Sequence, residues 1–473
     1  MDFNRAICIL LTGCAAFIAA CSCNKPSIEK ASDYLAGVKI VECDNALRIP
    51  FEFTFSKPCS YSVEYWQKEN PEVKGSTRTF ESTDGKGKAT VMFVYPETTY
   101  KYRIVINGEE GTLYSEENEF ITGPILSGFP EYTVADNYPT QEIPGYIFQW
   151  QATTPGYVSF CDTDGNIVWY EVLETAARQV TYDEPTRTIS MLLGFKTSQN
   201  DPYFQRWCSK IVLMDLEGNR LIDLETSPDN IDLPHHEIKR MPDGNIAILH
   251  GYPRVFDLTP IGGEANTTVY GEAITIVTPE MEKVWTWNCF DDGGLDPVND
   301  EYLDAVVKQT DLIHSNSVSW DEKGNIYMTS NFLNELWKID RATKKVLYRC
   351  GDYGDIALPE DGHASGLHAA EPQEEDLVLC LDNGSNIGIS RAIMYKIDPA
   401  SKTAEVSLSV PLPSELSSRD RSNTHFSKDK TMLFFGSTMG RANVFTDLKG
   451  NVLKVLKRTG ISYRSYYYET VEY

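Results

Sequence analysis

Apolar and polar positions alternate with a period of two over much of the chain. Ile49, Phe51, Phe53 and Phe55 alternate with other residues, as do Tyr61, Val63 and Tyr65. That spacing predicts strands with one buried face. Ala89 to Val94 follows the glycine turn Asp84-Gly85-Lys86-Gly87, and Tyr102 and Ile104 lie on a further strand. Beyond Pro144 the chain repeats one theme. Short apolar runs, such as Ile246 to Leu249 and Ile326 to Thr329, sit between turns like Asp162-Thr163-Asp164-Gly165-Asn166, Asp215 to Asn219, Asp321 to Asn325 and Asp447 to Asn451. Gly and Asn supply the positive φ of a tight hairpin, and Asp caps it. A second turn, Lys338-Ile339-Asp340 and Lys396-Ile397-Asp398, is interspersed. Only Glu301 to Lys308 carries a helical pattern. Short strands at regular spacing predict an all-β fold, a β-propeller. At roughly 50 to 60 residues per blade, six blades fit best, with five or seven left open. The β-prone stretch from Tyr463 to Tyr473 is placed to close the ring against its first strand.

Residues 38–123 form a separate unit. Its Pro96-Glu97-Thr98-Thr99-Tyr100 corner and its ending, Phe120-Ile121-Thr122-Gly123, resemble those of a fibronectin type III or immunoglobulin-like β-sandwich. It holds no histidine and no acid/base cluster, so spacing or docking is its expected work. Residues 124–473 are assigned to the propeller. At the other end, Arg5 followed by the apolar run Ala6 to Ala20 reads as an export signal, too short to span a bilayer. The run ends Ile18-Ala19-Ala20-Cys21, which resembles a bacterial lipoprotein box. Residues 1–21 are therefore expected to be the signal, Cys21 the lipidated residue, and 22–37 a tether. The body is then held at the cell envelope, in the periplasm or at the outer membrane, by its end alone.

Charge narrows the partners. The chain carries 43 Lys and Arg against 68 Asp and Glu, a formal net charge of −25. Nucleic acid and anionic membrane surfaces are poor partners for it. An anionic substrate needs a site made locally, within the ~8 Å over which salt leaves charges unscreened. The cysteines show no metal-ligand spacing, so no metal is expected; Cys43 with Cys59 is one possible disulfide.

All seven histidines (235, 236, 250, 314, 363, 368 and 425) fall after residue 234. His236 and His314 each precede a short strand and a Gly-Asn hairpin, and His368 precedes the strand Leu377 to Leu381. Residues at the head of the innermost strands ring the central channel of a propeller. Three imidazoles from three blades are therefore expected to meet at one mouth.

At this point the motifs resemble those of the bacterial arylsulfate sulfotransferases, six-bladed propellers that move a sulfuryl group between phenols. The matching pieces are His235-His236-Glu237-Ile238 before Pro242-Asp243-Gly244-Asn245, His314-Ser315-Asn316-Ser317-Val318, and Leu367-His368-Ala369. Ser390-Arg391 and Tyr463-Arg464-Ser465 follow. The resemblance implies that His368 is the nucleophile that becomes sulfated, and that His236, His314 and Asn316 bind and polarise the sulfate. It also places Tyr463 near the site. Where the family commonly has an arginine in a Ser-Arg pair, this chain has Ser330-Asn331, an uncharged donor. Arg391 is a possible replacement, and His425 is a further residue that can reach the channel.

The implied reaction suits these residues. A sulfate monoester carries one negative charge over three oxygens, so positioned hydrogen-bond donors suffice and no cofactor is required. Neutral imidazole is abundant near pH 7 and attacks as the base. The implied substrates are aryl sulfates and phenols, exchanged by ping-pong kinetics. Two other readings stay open, a non-catalytic module for glycans or proteins and a lyase, because propellers host many functions. The oligomeric state also stays open, a homodimer included.

Overall fold

The computed structural model describes residues 29–108, 111–196, 207–298 and 311–473. The leader, Cys21 and the stretch Glu301 to Lys308 lie outside them. The first unit is a sandwich of two antiparallel sheets. One comprises Leu35–Ile40, Ile49–Phe55 and Lys86–Val91; the other is built on Cys59–Gln67 and Thr99–Asn107. The alternating aromatics face inward: Phe53 and Phe55 pack on Tyr61, and Phe51 on Tyr102 and Phe120. At the proline corner the Tyr95 N–H donates to the Tyr100 hydroxyl at 2.8 Å, which locks the start of that strand as in immunoglobulin-like sandwiches. Two expectations are corrected here. Strand structure starts at Leu35, inside the expected tether, because Leu35 packs against the sandwich core. Cys43 is exposed, Cys59 is buried, and both are free thiols.

Six antiparallel sheets follow, the six blades of a propeller. Blade 1 holds Tyr146–Gln151, Gly156–Asp162 and Ile167–Leu173; blade 2 runs from Ala177–Asp183 to Arg220–Glu225; blade 3 from Pro234–Arg240 to Lys283–Asn288. Blade 4 runs from Ser315–Trp320 to Val346–Gly351, blade 5 from Leu367–Glu374 to Thr403–Pro411, and blade 6 from Asn423–Phe426 to Val452–Arg458. In blades 2 to 6 the first strand is innermost. Ring closure is double. The C-terminal strand Ser465–Tyr468 becomes the innermost strand of blade 1, and Tyr132–Val134 pairs with Val452–Arg458 at the outer edge of blade 6. Each closing strand thus satisfies a sheet edge that would otherwise expose unpaired backbone groups.

The recurring turn works as its residues imply. In blade 1 the Asp162 carboxylate accepts the N–H groups of Asp164 and Asn166, and the Asn166 amide donates back to it. The same Asp–Asn pairing closes the hairpins at Asp215, Asp321 and Asp447. The sandwich docks on blades 1 and 2. Arg48 reaches across to Glu171 at 2.6 Å, to the Leu216 carbonyl and over the Trp169 ring, while Phe93 packs on Phe160 and stacks on Tyr473.

Candidate active site

The heads of the six innermost strands converge on a cavity of about 340 Å³ at one mouth of the channel. The head of each blade's innermost strand places a side chain there: Tyr463 before the inner strand of blade 1, Arg178 in blade 2, His236 in blade 3, His314 in blade 4, His368 in blade 5 and Arg421 in blade 6. Asn331, Cys208 and, at the rim, Arg419 and Asp420 line it too, the Asp420 carboxylate 3.9 Å from the Arg421 guanidinium. The backbone is bent to present them. His236, His314, Ala369 and Arg421 have φ of +55°, +49°, +52° and +58°. The ladders of blades 2 to 5 slip register at these points, between Ala177 and Gln179, Pro234 and Ile238, Ser315 and Ser317, and His368 and Glu371. Bulges of this kind re-aim side chains next to active sites. Non-glycine residues in the left-handed region cost roughly 1–3 kcal/mol each, strain that surrounding structure must offset.

The three imidazoles are held differently. His368 is buried and its Nδ1 donates to the Gly366 carbonyl at 3.0 Å. Its Nε2 therefore carries the lone pair. Burial, opposed by the Gly366 hydrogen bond and reinforced by the positive charge of Arg464 and by His314, holds its pKa down to about 3. His314 has its Nδ1 2.8 Å from the buried Asp311 carboxylate and lies 4.5 Å from Phe332, nearly parallel to it. His236 meets His314 edge-on at 5.1 Å and Tyr463 at 5.7 Å, and its Nδ1 is 2.6 Å from Nδ1 of His235. Asn331 Nδ2 lies 3.5 Å from Nδ1 of His368, too far for a strong hydrogen bond.

Three residues expected at the site are elsewhere. Asn316 is fully buried: its amide donates to the Leu367 carbonyl, and its side-chain oxygen accepts from Thr329. It ties blade 4 to blade 5 from behind the cavity. Arg391 is held by Asp382 at 2.8 Å and by the carbonyls of Asp361 and His363. His425 lines a second cavity of about 300 Å³ further along the inner strands. Its Nδ1 donates to the Phe426 carbonyl and its Nε2 accepts the Tyr467 N–H, so both ring nitrogens serve the backbone. Arg178, Arg419 and Arg421 were not anticipated. For Arg178 and Arg421 the signal is position: each stands where a blade's innermost strand begins, as the three histidines do. His425 is four residues past Arg421, about 13 Å along a strand, which carries it off the mouth.

A buried ion pair lines the second cavity. Arg464 donates to Glu237 at 2.8 Å and to the Asn316 carbonyl, and Glu237 also accepts from Gln179 at 2.9 Å. Four blades are joined there.

A closed six-bladed propeller with histidines and arginines at one channel mouth is the class these features define. Residues 131–463 match the family model described as arylsulfotransferase (ASST), and the chain belongs to that family. No curated protein matches the chain. Among solved structures it is similar to a protein of unknown function from Bacteroides caccae, at 10% identity over 68% of this chain and 98% of that one, with a TM-score of 0.43. It is also similar to the periplasmic gluconolactonase PpgL of Pseudomonas aeruginosa (10% identity, 86% and 99% covered, TM-score 0.37). A third is virginiamycin B lyase from Staphylococcus aureus (12% identity, 70% and 100% covered, TM-score 0.33).

Proposed function

We propose that this chain moves a sulfuryl group from an aryl sulfate to a phenol, without a nucleotide donor, by ping-pong kinetics through a sulfohistidine at His368. The observation that supports this most is the meeting of His236, His314 and His368 with Arg178 and Arg421 around one cavity. His368 is suited to be the nucleophile because it is neutral at working pH and, with Nδ1 donating to Gly366, its lone pair is on Nε2. In the first half-reaction Nε2 forms a bond to sulfur, the bond from sulfur to the aryl oxygen breaks, and its electron pair leaves on that oxygen. Sulfuryl oxygens gather charge in such a loose transition state, where preorganised donors are worth most. His236, His314 and the arginines supply them. In the second half-reaction a phenol oxygen attacks the same sulfur, passes its proton to His314 or His236, and the bond from sulfur to Nε2 breaks to release neutral His368. Arg178 and Arg421 bring positive charge to a site where Asn331 stands in place of the family's arginine.

We further propose that Cys21 carries the lipid that keeps the protein at the cell envelope. Cys21→Ser should then release it from membranes into the soluble fraction.

The test is incubation with a chromogenic aryl sulfate. Phenolate release should require a phenol acceptor, and the donor alone should leave a sulfuryl group, detected by intact mass, on the peptide holding His368. Release that needs no acceptor would indicate a hydrolase and overturn the reading.

A further inference from the structure

The segment Asp382-Asn383-Gly384 closes the second strand of blade 5, Leu377–Asp382, and the reaction as described does not use it. Asn383 is fully buried. Its side-chain amide donates to two carbonyls of the loop that leads into blade 6, those of Ser418 at 2.7 Å and Arg421 at 3.0 Å. Its backbone N–H donates to the Gly366 carbonyl at 3.3 Å. That carbonyl is the one to which Nδ1 of His368 donates. One residue therefore holds both the group behind the nucleophile and the backbone that carries Arg421.

The loop it holds is strained. Arg421 and Ser422 have φ of +58° and +74°, two successive non-glycine residues in the left-handed region. Such residues persist only where their surroundings over-determine them. Here the Arg421 carbonyl is held by Asn383, and the Ser422 N–H donates to the Tyr463 carbonyl at 3.0 Å. Ser390, on the same blade as Asn383, braces the loop further by accepting the N–H of Ser418 at 2.8 Å. With two carbonyls against it, Nδ2 of Asn383 cannot exchange places with Oδ1, since an oxygen there would repel both. The cost falls on that oxygen, which is buried and finds no donor among the described residues. A buried acceptor left without a donor destabilises a fold, so stability alone does not account for this amide. The side chain also bears on the nucleophile: burial holds the His368 pKa down, and Asn383 is among the groups that oppose it.

We propose that Asn383 is a positioning residue that sets the Arg421 cation and the His368 nucleophile at a fixed separation, so that one sulfate monoester meets both. This deepens the sulfuryl-transfer reading above and rests on it. A guanidinium helps the transition state most when it already stands where charge gathers on the sulfuryl oxygens, with no reorganisation left to make. Released from Asn383, the loop frees Arg421 to turn towards solvent and Asp420, whose carboxylate is 3.9 Å away. Asn383 is not part of the cavity lining; it acts through Arg421 and Gly366.

The experiment is a double-mutant cycle on kcat/KM for 4-nitrophenyl sulfate, measured in the full chain at low and at high salt. Asn383→Ala should lower kcat/KM about 30-fold and flatten its dependence on ionic strength, as Arg421→Gln does. Arg421→Gln alone should cost about fivefold, but added to Asn383→Ala less than about twofold, because the cation is already misplaced. Where Asn383→Ala does not fold, Asn383→Ser, whose hydroxyl can still donate to one of the two carbonyls, closes the same cycle. Losses that simply multiply, or a salt dependence that the Asn383 variant leaves unchanged, would make Asn383 part of the scaffold only and overturn the proposal. Absence of transfer by the unaltered protein would instead overturn the function on which it rests.

Discussion

At the scale of single residues, the three site histidines differ in what stands behind them. His368 has a carbonyl, His314 a carboxylate, and His236 a second histidine backed by a carboxylate. On the mechanism proposed above, His368→Ala should lower transfer by about 10⁴-fold or more, since losing a nucleophile disables the whole catalytic unit. The melting temperature should change little, because the side chain makes one backbone hydrogen bond. Arg421 lies at the exposed rim of the cavity beside Asp420, in a chain of strongly negative charge. Arg421→Gln should lower kcat/KM for the donor about fivefold and flatten its dependence on ionic strength, as rim charges do. Measuring kcat/KM from low to high salt checks it.

At the scale of elements, strands decide which polar groups are buried. His250 and His425 lie on blade strands and His368 at the head of one, all three with pKa values lowered first of all by burial, His250 to about 4 and His368 to about 3. Depressed values mean that the folded chain binds fewer protons than the unfolded chain in this range. Their stabilisation is present above about pH 6.5 and is lost as pH falls towards the folded values, at up to about 1.4 kcal/mol per pH unit for each histidine. Urea midpoints measured from pH 7 to pH 4.5 should fall accordingly. His250→Gln, away from the cavity, should flatten that slope by about one histidine's share. The bulges at the strand heads belong to this scale too. Period-two patterning located the strands but carries no mark of where a register slips, because a bulge is fixed by the neighbouring blade as much as by its own residues.

At the scale of the whole molecule, the ring is held where its two ends meet and where its blades share a charge. Arg464 and Glu237 are nearly fully buried and join blades far apart in sequence. Glu237→Ala should cost about 3–5 kcal/mol, since it leaves a buried arginine unpaired, and Glu237→Leu combined with Arg464→Met should recover most of it. Chemical denaturation of the three proteins measures both. Removing residues from Ser465 onward takes the inner strand out of blade 1 and exposes its edge; that chain should fail to give a single cooperative unfolding transition.

The sequence by itself determined the all-β class, the hairpins closed by Asp and Asn, the sandwich before the ring, and three of the six side chains at the heads of the inner strands, the histidines; Tyr463 was implied only by the family resemblance. These follow from local causes: a side-chain period of two, turns that need positive φ, and histidines too specific in their setting to overlook. The tertiary structure alone decided the rest. It showed that Arg178 and Arg421 complete the ring of six, that Asn316 spends its amide on a neighbouring blade, and that His425 and Arg391 serve the backbone and an ion pair. It also placed Asn383 between Gly366 and Arg421. Such roles depend on which residues of different blades come within about 3 Å of one another, and the circular closure of the sheets sets that distance, which no run of neighbours along the chain encodes.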